Sequence, residues 1–193
     1  ENCRRTAIEM IKRFKEQGAL ISFDVNYRAN LWNEETARKT IYQILPYIDI
    51  LFVSEETSRR MMQRKGTMEE IMRGYCKEFG CKIVASTHRK VKSPKCHSFN
   101  STIYLSENDT LYTGIPFEDI DVIDRIGSGD AYVAGALFGL LKYNDVQKAV
   151  EFGNAMSAVK NTIVGDMPAS DFEEISRVIA LHNSGNAGDE LNR

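Results

Sequence analysis

Between Ala7 and Ala85 the spacing of apolar residues switches repeatedly between helical and strand-like, and no other feature narrows the fold as far. Ala7, Ile8, Met10, Ile11 and Phe14 recur at helical spacing up to the stop at Gly18, after which Ala19 to Val25 reads as a buried strand. Asn33 can cap a helix from Glu34 to Leu45, with Ala37, Ile41, Ile44 and Leu45 inward and Pro46 just beyond it. Asp49 to Val53 is a second strand. Ser54 can cap the next helix, and Thr67 another that carries Ile71, Met72 and Tyr75 inward before Gly80 and the strand Lys82 to Ala85. Such alternation predicts an α/β fold with a mainly parallel sheet and helices on both faces. Right-handed crossovers then bring the loops 26–32, 54–57 and 86–90 to one sheet edge, where ligands of such folds collect.

The texture changes beyond Arg89. Ser98 to Ser106 and Thr110 to Ile115 flank the turn formers Glu107, Asn108 and Asp109, which predicts an antiparallel hairpin added to the sheet edge. Helices are expected from Ser128 to Tyr143, Val146 to Thr162 and Asp171 to Leu181. One globular unit over residues 1–182 follows, with 183–193 as a frayed tail, since that tail holds two glycines and no apolar period. The chain also opens on a helix with no strand before it, which is unusual for an alternating fold and suggests truncation at the N-terminus.

Composition excludes several classes. A net charge of −2 over 193 residues offers polyanions no general attraction, so nucleic acid is not an expected partner. No apolar run approaches the roughly 20 residues that cross a bilayer, and no signal-peptide core follows Glu1; neither a membrane partner nor export is expected, and a cytoplasmic location is. Cys3, Cys76, Cys81 and Cys96 lack C-x-x-C spacing and read as free, mostly buried thiols, and Lys12, Arg13 and Lys15 as the wet face of the first helix.

Gly127-Ser128-Gly129-Asp130 precedes Ala131 to Leu141, a stretch so apolar that it reads as a helix buried on all sides. Small residues at a helix start let a phosphate approach free backbone N–H groups, and the helix dipole attracts the anion. A carboxylate at that place would repel a phosphate unless it serves as the base that deprotonates a hydroxyl attacking it. The plainer reading of Asp130 is a helix cap.

Asp124-Arg125-Ile126-Gly127-Ser128-Gly129-Asp130 resembles the D-x-x-G-A-G-D signature of ribokinase-like sugar kinases of the phosphofructokinase-B type, with Ser128 in place of Ala. Phe23-Asp24-Val25-Asn26-Tyr27-Arg28-Ala29-Asn30-Leu31-Trp32 is similar to the segment after a central strand in the 2-keto-3-deoxygluconate kinase branch. The resemblance covers essentially the whole chain but only the C-terminal portion of such a kinase. It implies a ribokinase-like three-layer sandwich and ATP-dependent phosphorylation of a sugar acid, most simply 2-keto-3-deoxygluconate to its 6-phosphate.

Carried over by position, the resemblance implies that Asp130 is the base and that the N–H groups of Gly127, Ser128 and Gly129 form an anion hole. Asp124 either orients the loop or helps hold a monovalent cation such as K+. Arg28 would grip the substrate carboxylate, with Asn26 supporting the pocket; a surface ion pair is the plain reading of Arg28. Thr87 and Asn154 would contact the nucleotide. Ser54-Glu55-Glu56-Thr57 departs from the family's N-x-x-E, so Glu55 or Glu56 would have to organise Mg2+ through water. A kinase of another sugar, such as fructose, ribose or a nucleoside, shares the fold. Relatives take a β-sheet lid, through which the full-length protein would form a homodimer, from an N-terminal portion that no segment here supplies. The fragment alone would then be a nucleotide-binding module without catalysis.

Overall fold

The computed structural model describes residues 2–185. In chain order the elements are α1 (Asn2–Glu16), β1 (Ser22–Asp24), α2 (Glu34–Ile44) with a 3-10 turn at Leu45–Tyr47, β2 (Ile50–Phe52), α3 (Glu55–Arg60) and α4 (Met68–Phe79). There follow β3 (Ile83–Ser93), β4 (Cys96–Leu105), β5 (Thr110–Thr113), β6 (Phe117–Asp121), α5 (Ser128–Tyr143), α6 (Val146–Asn161) and α7 (Phe172–Ser184). The described residues divide into two compact units, one up to residue 87 with 103–111 and one of 88–102 with the residues from 112 on, and β3, β4 and β5 run through both.

Helix starts in the first unit follow the expected caps. The side chains of Asn33, Ser54 and Thr67 accept from the N–H groups of Thr36, Thr57 and Glu70, and Glu70 completes a capping box. β1, β2 and the start of β3 pair in parallel, Phe23 opposite Leu51 and Leu51 opposite Val84. Leu45, Leu51, Met61, Met72, Tyr75 and Val84 form the core of this unit. β1 is shorter and wetter than expected: only Phe23 is half-buried, because β1 ends the strand order and among the described residues pairs with β2 alone. Lys15 is not simply on a wet face, for its Nζ meets the buried Asp49 carboxylate at 2.6 Å.

The strand order of the sheet is β1-β2-β3-β4-β5, and besides the expected hairpin of β4 and β5 it holds β6, antiparallel to β4. Residues 86–90 are not a loop: β3 continues through them to Ser93 and turns back at 94–95 into β4. α5 buries one face rather than all of its surface, leaving Leu141 69% exposed. That face lies against α6 so closely that a Cβ on Gly139 would come within 2.6 Å of Ala149. α7 continues to Ser184 and ends on Gly185 in the left-handed region, so the start of the predicted tail is helical; residues 186–193 lie outside the described part. The cysteines are free, but only Cys81 is buried. Burial raises its thiol pKa to about 11 and that of half-buried Cys76 to about 12, which leaves both protonated and inert near neutral pH. No described helix is long and apolar enough to cross a membrane.

Candidate active site

The start of α5 is built from backbone rather than side chains. Gly127 is the N-cap, at φ +79°, and no side chain caps the helix there. A Cβ on Gly127 would also overlap the Asp166 carbonyl, so both the backbone angle and the space demand glycine. A Cβ on Gly129, by contrast, would meet nothing within 4 Å, so nothing in the protein requires that residue to be small. Asp130 sits in the first turn, exposed, and does not cap the helix. Ser128 N–H donates to Arg125 O at 3.2 Å, closing the turn before the helix, and is therefore engaged. Among the described residues the N–H groups of Gly127, Gly129 and Asp130 have no backbone acceptor, which leaves three donors at the positive end of the helix dipole.

Asp124 braces this loop. Its Oδ1 accepts from Ile126 N–H at 2.9 Å and its Oδ2 from Gly165 N–H at 3.1 Å. These two bonds, in that order of strength, hold the carboxyl below the usual carboxylate range. The backbone N–H groups of Ile123 and Asp124 both donate to Asn161 O. Sequence reading missed Lys160 altogether: fully buried, it donates through Nζ to Asp124 O and Ile163 O, each at 3.0 Å. A lysine near a helix C-terminus normally reads as a solvated dipole partner, and nothing in the local pattern marks this one as buried.

Asn154 is 2% exposed and held at both ends, its Oδ1 accepting from Ser101 Oγ at 2.7 Å and its Nδ2 donating to Asn100 Oδ1 at 2.9 Å. It lines a cleft of about 230 Å³ together with Gly114, Phe117, Glu151 and His182. The Phe117 and His182 rings stack 3.8 Å apart, and His182 bonds Ile115 O. Only Asn154 among these stood out in the sequence; the others come from the β5–β6 connection, β6, α6 and α7 and share no motif.

The remaining candidates belong to the first unit. Val25, whose N–H bonds Phe52 O, is buried and Tyr27, whose OH bonds Trp32 O, is half-buried, whereas Asn26 and Arg28 are exposed. Arg28 has no ion pair among the described residues. Glu55 and Glu56 open α3 and face Arg59 and Arg60 one turn on, at 2.8 and 3.9 Å. Thr57 supports the cap instead, its hydroxyl receiving the Ser54 Oγ–H at 2.9 Å. No cluster of three potential metal ligands occurs among the described residues. Thr87 is half-buried within β3 rather than in a loop.

Residues 1–171 match the model of the pfkB family of carbohydrate kinases. The chain belongs to that family. A 2-dehydro-3-deoxygalactonokinase of Haloferax volcanii is 28% identical over 188 residues, which are 97% of this chain and 55% of the relative. A 2-dehydro-3-deoxygluconokinase of Haemophilus influenzae is 28% identical over 160 residues, 82% of this chain and 48% of the relative. The solved 2-dehydro-3-deoxygluconokinase of Thermotoga maritima superposes with a TM-score of 0.87 at 27% identity, covering 93% of this chain and 56% of that one. This pfkB-family chain therefore spans about half the length of the relatives it matches, and its α/β, ribokinase-like fold is theirs.

Proposed function

We propose that this chain carries the catalytic loop and nucleotide cleft of an ATP-dependent kinase acting on a 2-keto-3-deoxy sugar acid, most simply 2-keto-3-deoxygluconate at its primary hydroxyl. The observation that carries the reading is the start of α5: an exposed, unbridged Asp130 beside three free N–H donors, in a turn where Gly127 admits no side chain. Asp130 removes the hydroxyl proton as the oxygen attacks the γ-phosphorus, and ADP departs in line. The Gly127, Gly129 and Asp130 N–H groups stabilise the charge on the transferred phosphoryl group. Ser128 contributes its small size, its own N–H being spent on Arg125.

Arg28, exposed and without a partner among the described residues, supplies a two-pronged donor for the sugar carboxylate, and Asn26 faces out beside it on the same loop. The relatives named for 2-dehydro-3-deoxy acids support an acid substrate. Asn154 retains one Nδ2 proton for the adenine in the Phe117 and His182 cleft. Thr87 is the second nucleotide contact. Glu55 or Glu56 would hold Mg2+ through water, where the ion would neutralise charge on the ATP phosphates, since arginine-bound carboxylates without a third ligand among the described residues make no dedicated cage.

Asp130→Asn in the full-length enzyme is expected to lower turnover by about 10³-fold or more while ATP affinity stays within a few-fold. Near-normal turnover would remove Asp130 from the mechanism. A panel of sugars tests the acceptor, and preference for a neutral sugar would strip Arg28 of its role. Calorimetry of ATP with the present chain tests the cleft by itself.

A further inference from the structure

The loop that carries Asp130 has little apolar anchorage, for Ile123 and Ile126 are both mostly exposed. Polar bonds to the segment 161–166 hold it instead, and at their centre is a buried positive charge. Lys160 has no exposed surface, and the acceptors of its ammonium are two backbone carbonyls, Asp124 O from the loop and Ile163 O from the segment after α6. The Asp124 carboxylate is near enough for the lysine to help depress its pKa, but its two oxygens are bonded to backbone N–H groups. An unhydrated ammonium inside a protein is tolerated only where dipoles replace its water. Here converging carbonyls from two loops do so, with a carboxylate close by, an arrangement that would equally suit a dissociable monovalent cation. Potassium does not fit as an additional occupant, because the two carbonyls that would ligate it are already taken by Nζ.

We propose that Lys160 is a tethered monovalent cation: its ammonium performs, as part of the chain, the bracing of the 124–130 loop that a bound K+ would otherwise provide. The protein is then independent of potassium. Lys160 is a positioning residue, acting on Asp130 and the loop donors only through the backbone it holds. The proposal rests on the reading of that loop as an anion hole for its significance, but ion dependence of folding tests it without any kinase assay, so the two can fail separately.

The test is thermal unfolding of the present chain in potassium, ammonium, sodium and choline chlorides at equal ionic strength. The wild-type midpoint is expected to be the same in potassium and choline. Lys160→Ala, which removes the charge and opens room for an ion, is expected to melt about 10 °C lower in choline and to recover at least half of that loss in potassium or ammonium. Lys160→Met, which removes the charge but fills the space, is expected to fall similarly and to recover in none. If Lys160→Ala does not fold in choline, its refolded yield in ammonium against choline is the readout. Calorimetric titration of wild type with potassium chloride is expected to show no site. A potassium-specific rise in the wild-type midpoint or a potassium-binding isotherm would overturn the proposal. So would a Lys160→Ala variant that melts no lower than wild type in choline, or that no monovalent cation restores.

Discussion

Among the described residues each unit of the molecule fully buries one charged side chain, and the two are balanced by different means. In the first unit Asp49, 3% exposed, accepts from Ile21 N–H at 3.0 Å and meets the ammonium groups of Lys15 and Lys82 at 2.6 and 3.1 Å. In the second, Lys160 is met by neutral carbonyls. A carboxylate balanced by full counter-charges ties α1 and β3 to the start of β2 and makes the unit sensitive to acid. An ammonium balanced by dipoles has no titratable partner among its acceptors and, as the tethered cation proposed above, makes its loop indifferent to the kind of cation present. Fold stability is thus coupled to solution conditions differently at the two places.

If bracing rather than packing sets the loop before α5, Gly127→Ala is the most damaging small change available, since it strains φ and strikes the Asp166 carbonyl. It is expected to cost about 3 kcal/mol, read as a fall of about 6–12 °C in the unfolding midpoint. Gly129→Ala, whose new methyl meets no protein atom, is expected to leave the midpoint unchanged and weaken ATP binding. Equal stability losses would break the distinction drawn between the two glycines.

Asp49→Asn comes next, at about 2 kcal/mol near neutral pH. Burial alone would raise the Asp49 pKa, but the Ile21 N–H and the two lysines more than offset it, and the net direction is downward. A folded carboxylate pKa below the unfolded value means that its stabilisation is present above the unfolded value of about 3.9 and is lost as pH falls through the folded one. Urea unfolding of wild type and variant should therefore converge in acid. A gap that persists at low pH would show that the lysines are not what Asp49 contributes.

The smallest structural effect is expected at Arg28. Arg28→Ala should shift stability by no more than about 0.5 kcal/mol, its side chain being exposed and unpaired among the described residues. In the full-length enzyme it should raise the KM for a sugar acid by roughly 10- to 100-fold, the weight of a charge-assisted bond, with little change for a neutral sugar.

Local rules made much of this legible. Asn33, Ser54 and Thr67 start their helices through their side chains, Gly80 ends one through its backbone freedom, and α5 begins at Ser128 as its sequence requires. What failed depended on distant partners. His88, Arg89, Lys90 and Lys92 look like a loop because the outer part of β3 is exposed, and its strand state comes from pairing. β6 was hidden for the same reason, being an acidic segment whose pairing partner is Cys96 to Phe99 of β4. The motif loop was visible as a motif, yet its support was not: the pairing of Lys160 with Asp124 O spans 36 residues and leaves no local trace.

The clash that forbids a side chain at Gly127 also bears on how the motif can be moved. Residues 124–130 are braced from outside by 160–166, through Lys160, Asn161, Gly165 and the close-packed Asp166 carbonyl. The transplantable unit is therefore a discontinuous pair of segments. A heptapeptide grafted alone onto another helix would bring the acid without the geometry.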